Sequence, residues 1–380
     1  MTLAVWLFVT AAFFIVYTLF LYPALLALLS RFCTRPVTRA FQPRTVTVLL
    51  PVHNGQQFLA AKLDSLLAMD YPSGAMNILV LSDGSTDDTA AIARQFASRG
   101  VVFYDLPHSG KAGALNAGLR EATGEILFFT DVRQQMEPLC LRRLVECFAD
   151  PSVGAVSGEL CIRSGETQSE VSVGLYWKYE KLIRKWLSSL DSTLGATGCV
   201  YAMRRALAAP LPVGCLLDDV FLPLQAFFAG YRVVFDDTAR VYDYPASLKN
   251  EFKRKVRTLA GNYQLLFYMP RLLGPSNRLW LHFVSHKLSR LLLPFLLLLA
   301  LGAGLFLPAP WHLICTVPQV LFYLLAWLDL GLSDKNPLKK LTSPCRTFTV
   351  LMAASFCASS ILFRPNAQFW VTTTHRRADK

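Results

Sequence analysis

Residues 45–50 read TVTVLL, and three further short apolar runs follow them at similar spacing. These runs are NILVL at 77–81, VVFY at 101–104 and EILFFT at 125–130. The intervening segments have the periodicity or caps of helices, at 56–69, 87–98 and 111–122. Strands that alternate with helices in this way predict an α/β fold with a mostly parallel, doubly wound sheet. Ligands of such sheets bind beyond the carboxyl ends of the strands.

Four polar motifs fall at the ends of these predicted strands or at the start of the next helix. They are PVHNG at 51–55, SDGSTD at 82–87, HSGKAGALN at 108–116 and TDVR at 130–133. An Asp followed by Gly at a strand end accepts hydrogen bonds from a base or ribose, although the same residues also form ordinary turns. A Gly before a Lys at a helix start offers N–H groups and a cation to phosphate. The Walker spacing is absent.

A fifth motif, LDDV at 217–220, places two carboxylates side by side. Adjacent carboxylates repel each other, and this raises the pKa of one of them toward that of a general base. The alternative is the acidic first turn of a helix, which the helix dipole favours.

The composition argues against both an entirely soluble chain and an entirely membrane-embedded one. Of the 380 residues, 53% are hydrophobic and 17% are charged, against about 25% charged in soluble domains. The net charge of +12 does not indicate nucleic acid, because many basic residues flank apolar segments. The nine cysteines show neither zinc nor disulfide spacing, which favours a reducing compartment.

The first apolar segment, 3–29, carries no charge and is long enough to span a membrane. No basic residue precedes it, and four arginines follow it, at Arg31, Arg35, Arg39 and Arg44. The positive-inside bias therefore predicts an external N-terminus and a cytoplasmic domain after the helix. The alternative is a cleaved signal peptide.

The C-terminal part contains further apolar segments. We expect membrane spans at 291–307 and 313–328, whereas 347–363 is short and either spans, re-enters or lies at the interface. Basic and apolar residues mix over 249–273, which suits a helix in the membrane surface. The predicted parts are a transmembrane helix at 1–30, a cytoplasmic α/β domain at 44–245, an interfacial amphipathic region at 246–284, two to three transmembrane or re-entrant helices at 285–365 and a basic tail at 366–380.

In order and spacing, the motifs resemble those of family 2 glycosyltransferases with a GT-A fold. The resembling branch is membrane-embedded and includes hyaluronan, chitin, cellulose and poly-N-acetylglucosamine synthases. SDGSTDD resembles its DDGSTD motif, HSGKAGALNAGL its GGKAxALNxGL motif, and TDVR stands at its DxD position. GATGCVYAMRR resembles the acceptor-side loop, LDD stands at the ED motif, and RKVRT at 254–258 stands at QxxRW. The resemblance implies that 44–245 is a GT-A domain.

The resemblance also implies a role for each matched residue. Asp219 would be the general base that deprotonates the acceptor hydroxyl. The donor nucleotide would be bound by His53, Asp83, Lys111, Asp131, Arg133 and Arg257, with Asp83 and His53 near the uracil and Lys111 and Arg257 at the diphosphate. The acceptor side would contain Gly198, Cys199 and Asp218.

Three positions depart from the family pattern. Ser82 replaces the first acid of DDG, Arg133 replaces the second acid of DxD, and Thr258 replaces the Trp of QxxRW. Asp131 alone would hold Mg²⁺ or Mn²⁺ weakly, which argues against strict metal dependence. We expect Arg133 to supply part of the positive charge on the diphosphate. Loss of the Trp, which stacks under the acceptor sugar in the resembling synthases, argues against processive elongation.

We therefore expect an inverting membrane glycosyltransferase that moves a sugar from a nucleoside diphosphate, by resemblance UDP, to a growing polysaccharide. Single transfer to a membrane lipid and a non-catalytic nucleotide-sugar-binding module are the alternatives. The implied partners are the nucleotide sugar, a glycan or lipid acceptor, membrane lipid, and a partner subunit or second copy, but no nucleic acid. The expected location is the inner (plasma) membrane, with the catalytic domain in the cytoplasm.

Overall fold

The computed structural model describes residues 2–162, 168–243, 248–275 and 277–369. Its strands are β1 Val46–Val52, β2 Met76–Asp83, β3 Val101–Leu106, β4 Ile126–Phe129, β5 Gln135–Met136, β6 Val153–Ile162, β7 Tyr201–Arg204 and β8 Arg232–Asp243. Its helices are α1 Leu3–Val16, α2 Tyr22–Phe32, α3 Leu59–Leu67, α4 Thr89–Gln95, α5 Gly110–Glu121, α6 Cys140–Glu146, α7 Gln168–Leu190, α8 Asp218–Phe228, α9 Leu248–Tyr268, α10 Trp280–His282, α11 Ser289–Gly304, α12 Trp311–Leu328 and α13 Lys339–Ala358.

The chain divides into two compact units. The α/β unit comprises Leu29–Arg163 and Leu182–Tyr244, and the helical unit comprises Met1–Leu28, Ser164–Lys181 and Pro245–Lys380.

The α/β unit contains an eight-stranded sheet in the order β3-β2-β1-β4-β7-β6-β8-β5. Strands β1 to β4 are parallel to one another. Strand β7 is antiparallel to both β4 and β6, whereas β8 runs parallel to β6, so the sheet as a whole is mixed. The predicted doubly wound architecture is confirmed for the first four strands, which carry the strand-end motifs.

Alternate side chains of each strand point to opposite faces of the sheet, so both faces carry apolar side chains. Helices pack on both faces. Val48 of β1 belongs to a core that includes Leu63 of α3 and Leu144 of α6. On α5, a Cβ at Gly118 would stand 2.5 Å from Leu81 and 2.9 Å from Leu49. Helix α5 therefore approaches these strands more closely than a residue with a side chain at position 118 would permit.

Some predicted element boundaries differ from the observed ones. The first strand was predicted over 45–50, but β1 continues through Pro51 to Val52. Beyond Leu49, β1 has a ladder partner only on the β2 side, so a residue without an N–H is tolerated there. The helix expected from residue 56 begins at Leu59, because the preceding residues form a turn in which the Gln56 N–H donates to Asp87 Oδ2 at 3.0 Å.

A buried arginine fixes the segment that leads into the sheet. Arg232, at the start of β8, is 1% exposed. Its guanidinium donates to the backbone carbonyls of Arg35 at 2.8 Å, Asp191 at 2.9 Å and Ser188 at 3.2 Å, with Pro36 O at 3.4 Å. One side chain thereby joins the segment before β1 to the end of α7.

In the helical unit, four helical stretches of the described residues are long and apolar enough to cross a membrane, judged by length and composition. They are Leu3–Phe32, Trp280–Gly304, Trp311–Gly331 and Lys339–Leu362. The second starts before the predicted residue 291, because the π-helical turn Phe283–Leu288 continues the helix backwards. The last is longer than the predicted 347–363, so its length suffices for a span.

Packing within the helical unit joins these stretches. Helix α1 packs against α11, and α13 packs against α9 and α12. Helix α9 occupies most of the segment expected to be interfacial, and its position in the membrane surface stays a prediction. The expected basic tail lies outside the described residues beyond 369.

Candidate active site

Asp83 ends β2 and is only 4% exposed. Its Oδ1 accepts the backbone N–H groups of Ser109 at 2.6 Å and Gly110 at 3.0 Å, at the start of α5. The carboxylate thereby satisfies N–H groups that a helix start leaves unpaired, and its charge suits the positive end of the helix dipole. Asp83, predicted to contact the donor base, also anchors the helix that carries Lys111.

Two histidines flank Asp83. His53 Nδ1 lies 2.7 Å and His108 Nδ1 3.1 Å from the Asp83 carbonyl oxygen, and His108 Nδ1 also lies 3.1 Å from Asp83 Oδ2. The two imidazole centroids are 5.0 Å apart. His53, Asp83 and His108 each offer one ligand atom, and these atoms lie within 4.8 Å of one another. Both rings are exposed, and the three ligand atoms are close enough together to hold one metal ion.

Lys111, on the first turn of α5, joins two of the predicted carboxylates. Its Nζ lies 3.0 Å from Asp131 Oδ1 and 3.2 Å from Asp218 Oδ1. Burial disfavours its ammonium, but the charges of Asp131, Asp218 and Asp219 outweigh burial and raise its pKa. Lys111 therefore carries a permanent positive charge among three carboxylates.

Asp219 lies in the first turn of α8, beside Asp218. Its carboxylate packs against Gly198, where an added Cβ would stand 3.0 Å from Asp219 Oδ2. Its carbonyl oxygen accepts the Ala196 N–H at 2.7 Å. The predicted base and the predicted acceptor-side loop are therefore in direct contact.

The floor of this region is buried and polar. Tyr201 is fully buried, with its ring stacked on Phe129 at a centroid distance of 4.4 Å. Burial, together with Asp218, Asp219 and Asp131, holds the pKa of Tyr201 well above its usual range. Neither Tyr201 Oη nor Asp218 Oδ2 has a hydrogen-bond partner among the residues that the structure describes.

These residues fit a divalent cation by charge and by donor type. Three carboxylates face one ammonium, and Asp218 Oδ2 is a buried oxygen without a hydrogen-bond partner in the described part of the chain. Carboxylate oxygens are the ligands that Mg²⁺ and Mn²⁺ prefer. Asp131 and Asp218 would hold such an ion.

Two further cations were predicted to bind the donor, Arg133 and Arg257. Arg133 Nη2 donates to Asp243 Oδ2 at the end of β8, an oxygen that also accepts Gln134 Nε2 at 2.9 Å. The charge that we expected on the diphosphate therefore has a carboxylate partner. Arg257 belongs to α9 in the helical unit, and its contact with the diphosphate stays a prediction.

Cys199 is only 5% exposed, and burial raises the pKa of its thiol. It is therefore a protonated, packed side chain, and its contribution to the site is its backbone carbonyl, which accepts the Thr130 hydroxyl at 2.9 Å.

Several residues that contact the predicted ones received no role of their own from the sequence. They are Lys62, His108, Thr130, Tyr201 and Asp243. A signal existed for Lys62, because it stands three residues after Leu59 and four before Leu66, on the apolar face of its helix. Asp243 gave no signal, because its partner Arg133 is distant in sequence.

Residues 47–209 match the family model described as Glycosyl transferase family 2. A probable glycosyltransferase of Bacillus subtilis, YdaM, is 25% identical over 234 residues, covering 57% of this chain and 55% of that protein. A poly-beta-1,6-N-acetyl-D-glucosamine synthase of Staphylococcus aureus is 25% identical over 237 residues, covering 58% and 55%. This chain thus matches about half the length of each of these curated relatives.

A solved structure shares the fold over nearly the whole chain. It is a mannosyltransferase from Pyrobaculum calidifontis in complex with GDP-Man and Mn²⁺, with a TM-score of 0.73, 23% identity, and coverage of 94% of this chain and 99% of that one. The predicted GT-A fold is confirmed, and so is the predicted resemblance to glycosyltransferase family 2 over residues 47–209.

Proposed function

We propose that this chain transfers a sugar from a nucleoside diphosphate donor, UDP in our reading, to a glycan acceptor with inversion at the anomeric carbon. The observation that carries the proposal is the Lys111 ammonium held between Asp131 and Asp218, with Asp219 as the next residue. A fixed cation beside several carboxylates suits a reaction that needs both charge compensation and a base. The relatives named as poly-beta-1,6-N-acetyl-D-glucosamine synthases support a polymeric product.

In the proposed reaction, the donor base lies against Asp83 and His53, and the diphosphate faces Lys111. Asp219 accepts the proton of an acceptor hydroxyl, whose oxygen attacks the anomeric carbon. The new carbon–oxygen bond forms as the bond to the diphosphate breaks, and the electron pair leaves with the nucleoside diphosphate. Attack opposite to the leaving group inverts the anomeric configuration.

Two further sources of positive charge would act on the leaving diphosphate. A divalent cation bound by Asp131 and Asp218 would supply Lewis acidity. Arg257 would add a cation from α9, as the motif at 254–258 implies. A contribution from Arg133 stays a prediction, because its guanidinium donates to Asp243 at the end of β8.

The location that we propose is the inner membrane, with the α/β unit on the cytoplasmic side. The four candidate spans support a membrane location, and the arginines after Leu29 support this orientation through the positive-inside bias.

The product distinguishes the proposal from its alternatives. Membranes that contain the chain should be incubated separately with labelled UDP-N-acetylglucosamine, UDP-glucose and GDP-mannose, and the products separated by size and by solvent extraction. We expect label from one UDP-sugar in material of high molecular mass. Label only in a solvent-extractable lipid would overturn the polymer and support single transfer, which the absence of a Trp at Thr258 favours. Nucleotide-sugar binding without transfer would identify a non-catalytic module.

A further inference from the structure

Lys62 is a buried ammonium that the proposed reaction does not use. It is 2% exposed and lies on the face of α3 that carries Leu59, Leu63 and Leu66 into the core. Burial lowers the pKa of Lys62 to about 8. Below that pH the native state must hold a desolvated charge, which opposes folding. An apolar side chain would serve the core better, so the ammonium needs another explanation.

The Lys62 ammonium donates two hydrogen bonds to the turn that follows β4. Nζ donates to Thr130 Oγ1 at 2.7 Å and to the Gln134 carbonyl oxygen at 2.9 Å. Thr130 is 1% exposed and Gln134 is 5% exposed, so water does not compete freely for these bonds. Lys62 therefore holds both ends of the turn that contains Asp131 and Arg133.

Thr130 also links Lys62 to the predicted acceptor-side loop. Thr130 Oγ1 accepts from Lys62 and donates its own proton to the Cys199 carbonyl at 2.9 Å. Cys199 follows Gly198, and Gly198 packs against the Asp219 carboxylate. A single chain of hydrogen bonds thus links α3, the Asp131 turn and the loop that contacts the proposed base.

We propose that Lys62 is a positioning residue, which holds the Asp131 turn and the Gly198 loop in one fixed relation. This inference rests on the proposed sugar transfer, because it assigns Asp131 to the donor and Asp219 to the acceptor hydroxyl. Lys62 acts through Thr130 and the backbone, and it contacts neither reactant. Its contribution is the separation between donor and base, to which transfer rates are sensitive.

The test is Lys62→Met, which keeps the length of the side chain and removes its charge and donors. We expect kcat for sugar transfer to fall about tenfold to hundredfold, with a much smaller change in the KM for the donor. We also expect only a small change in the thermal unfolding midpoint, because removal of a desolvated charge offsets the loss of the donor to the buried Gln134 carbonyl. The matched control is Leu63→Met, a buried neighbour on the same helix, which should leave kcat unchanged.

A double-mutant cycle with Thr130→Val tests whether Lys62 acts through Thr130. If Lys62 acts through Thr130, the double variant should lose little more activity than the more damaging single variant. If the losses of kcat in the two single variants multiply in the double variant, Lys62 does not act through Thr130. A Lys62→Met chain with unchanged kcat, or one whose kcat falls only with its folded fraction, would overturn the positioning role. Transfer by the wild-type chain separates this outcome from failure of the proposed function, in which the wild-type chain transfers no sugar.

Discussion

Replacing Asp219 by asparagine is expected to lower the rate of sugar transfer by about 10²- to 10⁴-fold, the usual contribution of a general base. The amide is nearly the same size as the carboxylate, so the packing against Gly198 should persist. It does not accept the proton of the acceptor hydroxyl. The measurement is the initial rate of labelled sugar incorporation, with nucleotide affinity determined separately by calorimetry.

The matched control for this substitution is Asp70→Asn. Asp70 is an aspartate of the same unit that pairs on the surface with Arg142 at 3.1 Å, and its loss should leave the rate unchanged. Asp219→Asn with normal transfer would exclude Asp219 as the base. A loss of nucleotide affinity equal to the loss of rate would assign Asp219 to donor binding instead.

Replacing Arg232 by methionine is expected to destabilise the α/β unit by about 3 kcal/mol, since four backbone carbonyls lose the same buried donor together. The affected carbonyls belong to Arg35, Pro36, Ser188 and Asp191, which are brought together from two distant segments. The methionine fills most of the volume but donates no hydrogen bond. Thermal unfolding of the purified protein in detergent measures the effect.

Arg99→Met supplies the comparison for Arg232. Arg99 lies in the same unit, but its side chain is 50% exposed and pairs at 2.7 Å with Asp64, whose side chain is 59% exposed. Its replacement should change the unfolding midpoint little, because water replaces the lost contacts. Equal effects of the two substitutions would show that the four carbonyls do not need Arg232.

The parallel half of the fold was predictable because its strands are short, apolar and separated by helical periodicity. The runs at 45–50 and 77–81 became β1 and β2 nearly unchanged. The later strands were not assigned, because β6, β7 and β8 pair across long separations and in mixed directions. Pairing of that kind depends on tertiary packing, which the periodicity of the sequence does not indicate.

The site was predictable only where a motif ends a strand or begins a helix. Asp83, Lys111 and Asp131 belong to such motifs. The structure brings two of them together, because Asp131 forms an ion pair with Lys111 Nζ. The residues behind them were not predictable, because their partners come from other elements. Lys62 illustrates this point, since its contacts with Thr130 and Gln134 follow from how α3 packs on the sheet.

The central claim is that the donor diphosphate binds facing Lys111, whose ammonium is held by Asp131 and Asp218, with the donor base at Asp83. A structure of the chain in a lipid nanodisc with bound UDP examines this directly. We predict diphosphate oxygens within hydrogen-bond distance of Lys111 Nζ and the uracil beside His53 and Asp83. A nucleotide bound elsewhere on the chain, with the Lys111 ion pairs unchanged, would contradict the claim.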